Sequence, residues 1–161
     1  MLRGCANLEK HLENVKRFGQ SAIVAINHFP TDTDAEIAAL QAHCKALGVE
    51  AIVSRSFSEG GGGCVALAEA VRDLAARTPP GYTPVYAWDQ PIESKIAAIA
   101  TTIYGARGVE YTADARKDLA QLEKAGFGKL PVCMAKTQYS FSDDATRLGA
   151  TRKGDVVTMW L

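Results

Sequence analysis

The 161-residue sequence has no net charge and no long apolar run. Its 18 basic and 18 acidic residues cancel, which argues against a protein held to nucleic acid or to an anionic membrane mainly by charge. No apolar segment approaches the roughly 20 residues of a membrane-spanning helix. The N-terminal residues are amphipathic and of mixed charge, unlike a secretory signal. We therefore expect a cytoplasmic protein without nucleic-acid or membrane partners.

The cysteine and histidine spacings contain no motif for metal binding or covalent catalysis. The four cysteines include no CxxC pair, and Cys44 and Cys133 lie within apolar patterns, so we expect buried, reduced thiols. No HExxH spacing occurs, so no metal site is predicted, and His11 and His43 are expected on solvated helix surfaces. Without a GxSxG elbow or a histidine-paired cysteine, the catalytic residues stay unassigned.

Short apolar runs alternate with helical patterns along the chain. Residues 21–26 (SAIVAI) are too few for a helix and rich in branched side chains, as is typical of a strand buried on both faces. Residues 49–53 predict a second strand, and residues 130–135 a third. The run at 156–161 fits either a further strand or an apolar stub. We expect an α/β fold with a mostly parallel sheet flanked by helices, like half of a Rossmann-like or P-loop-NTPase-like fold.

The spacing of apolar residues predicts five helices, one before the first strand and four between the strands. The second should begin at Thr33, which forms a capping box with Glu36, and the fifth should lie between the cap Thr112 and the terminator Gly126. The third helix follows four glycines and should turn an apolar stripe inward. That stripe comprises Val65, Ala68, Val71, Leu74 and Ala75.

Polar and aromatic residues follow the first two strands. Ligands in open α/β sheets bind at the carboxyl ends of the strands, and a right-handed crossover brings both ends to one edge. Phe29 and Phe57 would then lie near that edge and could hold a flat heterocycle, at about 1–3 kcal/mol per stacked ring. Asn27 could contact a purine edge. The alternative is that each phenylalanine packs beneath its own loop.

Other residues near this edge have simpler structural roles open to them. Asp32 and Thr33 stand at a helix start, where capping of backbone N–H groups is the ordinary role. Glycines 60–63 precede a helix N-terminus, a setting suited to an anion, but the chain contains no GxxxxGK[ST] phosphate loop. The polar segment 136–144 follows a predicted strand. It could contact a phosphate, a substrate tail or another chain, or form a hydrogen-bonded structural loop.

Several long segments resemble formate–tetrahydrofolate ligase (formyltetrahydrofolate synthetase). The segments are GCANLEKH at 4–11, VAINHFPTDT at 24–33, SFSEGGGG at 56–63, KIAAIATTIYGARGVEY at 95–111 and GFGKLPVCMAKTQYSFSDD at 126–144. They follow the family's order over nearly the whole chain to about residue 149. The resemblance implies ATP-dependent formylation of tetrahydrofolate by formate, through formyl phosphate, to 10-formyltetrahydrofolate.

The resemblance assigns roles to residues near the sheet edge. It implies that Phe29, Phe57 and Pro30 contact the folate and that Asn27 and Ser54 contact the nucleotide. It implies a supporting role for a further set of residues, which are Thr31, Asp32, Thr33, Gly61, Gly62 and Lys136. ATP with magnesium would be bound mainly by residues outside this sequence, and a monovalent cation is a further candidate cofactor.

The sequence departs from the family pattern at three matched positions and at its ends. Phe57 stands where the family often has Trp, His28 where it usually has Lys or Arg, and Ala145 where it usually has Pro. We expect residues 1–149 to be a folate-side α/β module, part of a larger fold, and 150–161 to be an atypical tail. A homo-oligomer, or association with the missing ligase portions, would then follow.

Two other functions stay open. The first is a non-catalytic folate-binding or assembly module, a degenerate paralogue that is inactive without a phosphate-loop partner. The second is a generic nucleotide-binding α/β domain, for which the strand-end Asn27 and the glycines are the only support.

Overall fold

The computed structural model describes residues 2–134, 141, 146 and 156–159, the last four by backbone alone. The chain divides into two compact units. One comprises Met1–Cys5 and Val15–Tyr82, and the other comprises Ala6–Asn14 and Thr83–Leu161. Helix α1 (Cys5–Arg17) contributes residues to both units. Within the described residues, no helix has both the length and the apolarity needed to cross a membrane.

The first unit is built on a β-α-β arrangement. Strand β1 (Ile23–Asn27) leads through helix α2 (Asp34–Ala46) to strand β2 (Glu50–Ser54), which pairs with β1 in parallel. A four-residue helix α3 (Ser56–Glu59) and a 3₁₀ turn (Gly60–Cys64) follow, and helix α4 (Val65–Arg77) completes the unit. The predicted α/β class and the parallel pairing are confirmed.

The expectation that β1 is buried on both faces is wrong. Ile26 is buried, Ile23 and Val24 are partly buried, and Ala25 is exposed. In the described part of the chain β1 pairs with β2 alone, so only part of its surface is covered.

The capping of α2 follows the sequence prediction. The Thr33 hydroxyl accepts a hydrogen bond from the Glu36 N–H at 3.3 Å, and a Glu36 carboxylate oxygen accepts from the Thr33 N–H at 3.2 Å. These bonds satisfy backbone donors that a helix start leaves without intrahelical partners. At the other end Gly48 adopts a φ of 73°, which ends the helix. Cys44 is fully buried as expected, whereas Leu47 is exposed.

The inward face of α4 differs from the predicted stripe. Val65, Ala68, Val71 and Ala75 are exposed, and of that stripe only Leu74 is partly buried. The partly buried residues of this helix are instead Leu67, Ala70 and Leu74, on the side that meets the β1–β2 sheet. Both sets recur at helical spacing, so periodicity alone could not choose between them.

The second unit has a small apolar core between two helices and a strand. Its elements are helix α5 (Ile92–Thr102), strand β3 (Gly108–Tyr111), helix α6 (Ala113–Lys124), a 3₁₀ turn (Phe127–Lys129) and strand β4 (Val156–Met159). Ile92, Ile96 and Leu119 form the core, and Val109 and Tyr111 of β3 pack against it. Thr112 caps α6 through the Ala115 N–H, as predicted.

The strands of this unit differ from those predicted. β3 and β4 pair in parallel, so the apolar run after residue 155 does supply a strand. β3 was not predicted because GVEY is only four residues long and carries no continuous apolar run. The predicted strand at 130–135 is wrong over 130–134, its described part, which is irregular. Pro131 has no N–H to donate to a ladder, which disfavours a strand there.

Hydrogen bonds from two side chains, rather than pairing with another strand, hold residues 128–132. The Lys95 ammonium, fully buried, donates to the carbonyl oxygens of Gly128 at 3.1 Å and Leu130 at 2.9 Å. The Tyr86 hydroxyl accepts from the Val132 N–H at 2.9 Å and donates to its carbonyl oxygen at 3.0 Å. Backbone groups that a strand would pair with a neighbour are thus satisfied by side chains.

Side chains of α1 terminate α5. Lys10 donates to the Thr102 carbonyl oxygen at 3.4 Å, and Asn14 donates to the Ile103 carbonyl oxygen at 3.1 Å. These carbonyls lie at a helix end, where they lack intrahelical donors, and a cation there also meets the negative end of the helix dipole.

Two expectations, one for a cysteine and one for a histidine, need correction. Cys133 is exposed rather than buried. His43 is half-buried rather than solvated. His11 is exposed on α1 as expected, and its ring also packs against buried Phe141 at a centroid distance of 4.5 Å.

The capping box predicts a stability change with a pH signature. Thr33→Ala should lower the free energy of unfolding by about 1 kcal/mol. Thr33→Ser should keep most of the wild-type stability, because serine retains the capping hydroxyl. The Thr33 hydrogen bonds lower the pKa of Glu36, so the carboxylate stabilises the helix start at neutral pH. That contribution is lost as pH falls through the lowered pKa. Urea unfolding and an NMR titration, in which Thr33→Ala should raise the pKa of Glu36, test this. An unchanged Glu36 pKa would contradict it.

Candidate functional site

The parallel register of β1 and β2 brings two loops to one edge of the sheet. Asn27 pairs with Ser54, the last residue of β2, and the His28 N–H donates to the Ser54 carbonyl oxygen at 2.9 Å. The chain segments that follow both strands therefore leave the sheet side by side. We call residues 27–33 and 54–64 the rim.

The first rim segment is a tight turn that carries Phe29. The Asp32 N–H donates to the Phe29 carbonyl oxygen at 2.9 Å, which makes residues 29–32 a β-turn with Pro30 at its second position. An Asp32 carboxylate oxygen also accepts from the Phe29 N–H at 2.8 Å. The predicted capping role therefore holds for Thr33 and is wrong for Asp32, whose carboxylate closes the preceding turn. Pro30 and Thr31 are exposed at the tip.

The second rim segment is a closed loop that carries Phe57. Its ends are tied because the Arg55 N–H donates to the Gly63 carbonyl oxygen at 3.0 Å. A Cβ at Gly63 would lie 2.6 Å from the Arg55 carbonyl oxygen, closer than atoms tolerate, so the closure requires glycine. Between these ends the chain forms α3 and the 3₁₀ turn, which contains the four glycines that precede α4.

The two phenylalanine rings meet on the rim. Their centroids are 5.4 Å apart and their planes are inclined at 49°. Phe29 is 46% exposed and Phe57 is 72% exposed, so neither packs beneath its own loop. A flat guest between two parallel rings needs a separation of about 7 Å, twice a carbon–carbon contact distance. The rings therefore have to part before they can enclose a guest.

The residues at the strand ends offer one exposed and one buried polar group. The Asn27 side chain is exposed at the end of β1. Ser54 is 4% exposed, and its hydroxyl oxygen lies 3.5 Å from the Cys64 sulfur. The Cys64 thiol in turn lies 3.8 Å from the Gly60 carbonyl oxygen. Cys64 was not singled out from the sequence, because it belongs to no reactive motif.

Of the remaining predicted site residues, two lie in the second rim segment and one lies outside the described residues. Gly61 and Gly62 are exposed in the 3₁₀ turn, and a Cβ at either would meet open space. Lys136 lies outside the described residues, as does most of the segment 136–144. Gly63 is the glycine that the loop requires sterically, and the run of four glycines gave no means of distinguishing it.

The described rim carries an ion pair but no cluster of acidic or metal-binding side chains. Arg55 and Glu59 form an exposed ion pair at 3.7 Å, a contact of little energetic weight. Among the residues the structure describes, no group of three or more His, Cys, Asp or Glu side chains could hold a metal ion. The described rim therefore offers aromatic faces and an amide rather than a cluster of charged ligands.

Comparison with known proteins gives one family. A family model described as formate–tetrahydrofolate ligase matches residues 1–158. The formate–tetrahydrofolate ligase of Maricaulis maris is 48% identical over 147 residues, 91% of this chain and 26% of that protein. The formate–tetrahydrofolate ligase of Methylobacterium nodulans is 51% identical over 160 residues, 98% of this chain and 28% of that protein. The chain thus spans about a quarter of the length of these relatives.

The loop closure predicts different outcomes for two neighbouring glycines. Gly63→Ala should lower the free energy of unfolding by roughly 1–3 kcal/mol, because the added methyl group collides with the Arg55 carbonyl. Gly62→Ala, which meets open space, should stay within about 0.5 kcal/mol of the wild type. Urea unfolding of both variants measures the difference. Equal stabilities would show that Gly63 does not approach Arg55 as described.

Proposed function

The chain belongs to the formate–tetrahydrofolate ligase family, and we propose that its rim binds the folate in that family's reaction. In this proposal Phe29 and Phe57 stack on the ring system of tetrahydrofolate, and Pro30 lies against it from the turn. Similarity to the family implies formylation of tetrahydrofolate by formate at the expense of ATP. The whole reaction belongs to a protein of the relatives' length, and this chain's proposed share is the folate side.

The observation that carries the proposal is the exposed aromatic pair. Two phenylalanine side chains meet on one edge, and the more exposed of them retains 72% of its accessible surface. Burying either ring would stabilise the protein by roughly 1.5–3 kcal/mol, so leaving both in water is unfavourable unless a ligand covers them. A planar heterocycle fits because it presents two flat apolar faces.

Folate binding in this proposal requires the rings to separate. In the closed arrangement each ring covers part of the other, which lowers the cost of exposure without a ligand. A bound guest replaces the contact between the two rings with one contact on each of its own faces. The net binding free energy is therefore that of two stacking contacts less that of the ring–ring contact that is lost. Phe at position 57 offers a smaller face than the Trp frequent in the family, and we propose that it binds the folate more weakly.

We propose a secondary role in nucleotide contact for Asn27 and Ser54. The exposed Asn27 amide has both a donor and an acceptor for a purine edge. Ser54 is buried against Cys64, so its share would be to fix the strand end rather than to offer its hydroxyl. We propose a supporting role in the loops for Gly61, Gly62, Thr31 and Thr33. The same role is proposed for Lys136, which lies outside the described residues.

ATP and magnesium do not fit the residues described here. The sequence has no GxxxxGK[ST] loop, and the described residues include no cluster of metal ligands. We therefore assign no phosphate chemistry to this chain. A monovalent cation has no assigned ligands either.

The alternative function is folate binding or assembly without catalysis by this chain. The observation behind this alternative is that the sequence contains no GxxxxGK[ST] phosphate loop. An assay of ATP-dependent 10-formyltetrahydrofolate formation by the purified chain distinguishes the two. Turnover would refute the non-catalytic alternative and our assignment of phosphate binding to residues elsewhere. We also propose small-molecule substrates, a cytoplasmic location, and association with further ligase portions or with copies of itself.

The aromatic pair predicts how folate affinity responds to substitution. Phe57→Ala and Phe29→Ala should each weaken tetrahydrofolate binding by about 5- to 150-fold, the equivalent of 1–3 kcal/mol per stacked ring. Phe57→Trp should strengthen it because the larger ring offers more stacking area. Isothermal titration calorimetry of the 161-residue chain measures each affinity.

The matched control is Phe127→Ala. Phe127 is 47% exposed, close to the exposure of Phe29, but it lies outside the rim. Its removal should leave the affinity unchanged. If the rim variants bind tetrahydrofolate as tightly as the wild type does, or if Phe127→Ala weakens binding equally, the folate assignment is wrong.

A further inference from the structure

We propose that Asp32 is the positioning residue of the rim, and that its carboxylate fixes Phe29 as an immobile wall against which Phe57 opens and closes. This inference rests on the proposed function for its relevance to folate. The hydrogen bonds that carry it are independent of that function.

The backbone of Phe29 is held from both sides by one residue. Its N–H donates to Oδ2 of Asp32 at 2.8 Å, and its carbonyl oxygen accepts from the Asp32 N–H at 2.9 Å. Pro30 follows directly, and its ring fixes a φ near about −65°. With both polar groups paired and the next residue restricted, the Cα–Cβ direction of Phe29 is set.

The Asp32 carboxylate accepts from the first N–H after the end of the sheet ladder. The last ladder-like bond is from the His28 N–H to the Ser54 carbonyl oxygen, so the Phe29 N–H is the next backbone donor along the chain. Successive N–H groups along a strand point to opposite sides, so the Phe29 N–H does not face β2, and Asp32 supplies its acceptor. A hydrogen bond to an ionised acceptor is roughly twice as strong as a neutral one, which suits an exposed turn.

Starting α2 does not require the Asp32 carboxylate. Thr33 and Glu36 already form the complete capping box. The Thr33 hydrogen bonds lower the pKa of Glu36, and the nearby charge of Asp32 opposes that effect. The contact with Phe29 therefore explains the carboxylate better than a capping role does.

Phe57 has fewer restraints than Phe29. It lies on a helix of only four residues whose N-cap makes no side-chain hydrogen bond. The residue after that helix, Gly60, adopts a φ of 58°, and three more glycines follow. The separation that a guest requires should therefore come from Phe57, while Phe29 keeps its place.

The test compares Asp32→Ala with Asp32→Asn and Asp34→Ala in the 161-residue chain. Asparagine keeps an oxygen acceptor for the Phe29 N–H. Asp34→Ala removes an equal charge from the first turn of α2 without touching Phe29. Two readouts need no folate: hydrogen exchange of the Phe29 amide, and the nuclear Overhauser effect between the Phe29 and Phe57 rings.

Asp32→Ala should speed exchange of the Phe29 amide about fivefold or more, the equivalent of losing one hydrogen bond of about 1 kcal/mol. It should also weaken the Overhauser effect between the rings. Asp32→Asn should restore most of both, and Asp34→Ala should match the wild type. Wild-type exchange and ring contact in Asp32→Ala would overturn the proposal, whether or not the chain binds folate.

A folate arm separates this proposal from the function on which it rests. Asp32→Ala should weaken tetrahydrofolate binding severalfold in the wild-type background and have no further effect in a Phe29→Ala background. An equal loss in both backgrounds would mean general damage to the helix start and would refute positioning. If the amide and ring readouts change as expected while the wild type does not bind tetrahydrofolate, positioning is upheld and the folate assignment fails.

Discussion

Everything at the rim depends on the parallel pairing of β1 with β2 in one register. With Asn27 opposite Ser54, the two strands end together, and the turn with Phe29 and the loop with Phe57 leave from one edge. A shift of one residue would turn every side chain of the strand to the opposite face of the sheet. Ring contact across the 27 residues between Phe29 and Phe57 is therefore a consequence of the ladder rather than of local sequence.

Local constraints convert that shared edge into a defined geometry. On one side, Asp32 holds the backbone of Phe29 through two hydrogen bonds. On the other, the loop closes because Gly63 lets the chain approach the Arg55 carbonyl. The hydrogen bonds of Asp32 restrain Phe29, whereas the closed loop leaves Phe57 on a short helix. A site with one restrained and one less restrained ring can open for a flat guest without disturbing the sheet.

Sequence patterns predicted the elements better than their surroundings. Capping chemistry located the start of α2 at Thr33 and of α6 at Thr112, because those signals act within one helical turn. The inward face of α4 depends on its contacts with the sheet, and no local pattern encodes those contacts. In the same way, the irregular conformation of residues 130–134 depends on hydrogen bonds from the distant Lys95 and Tyr86. At the rim, residue types predicted an aromatic pair. The role of Asp32 and the requirement for glycine at 63 emerged only from interatomic distances.

The most direct test of this account is a crystal structure of the chain grown with tetrahydrofolate. The account predicts the pterin or aminobenzoyl ring between Phe29 and Phe57, with the rings moved apart to about 7 Å and Phe29 still bonded to Asp32. Tetrahydrofolate bound elsewhere while the two rings stay in contact would contradict it.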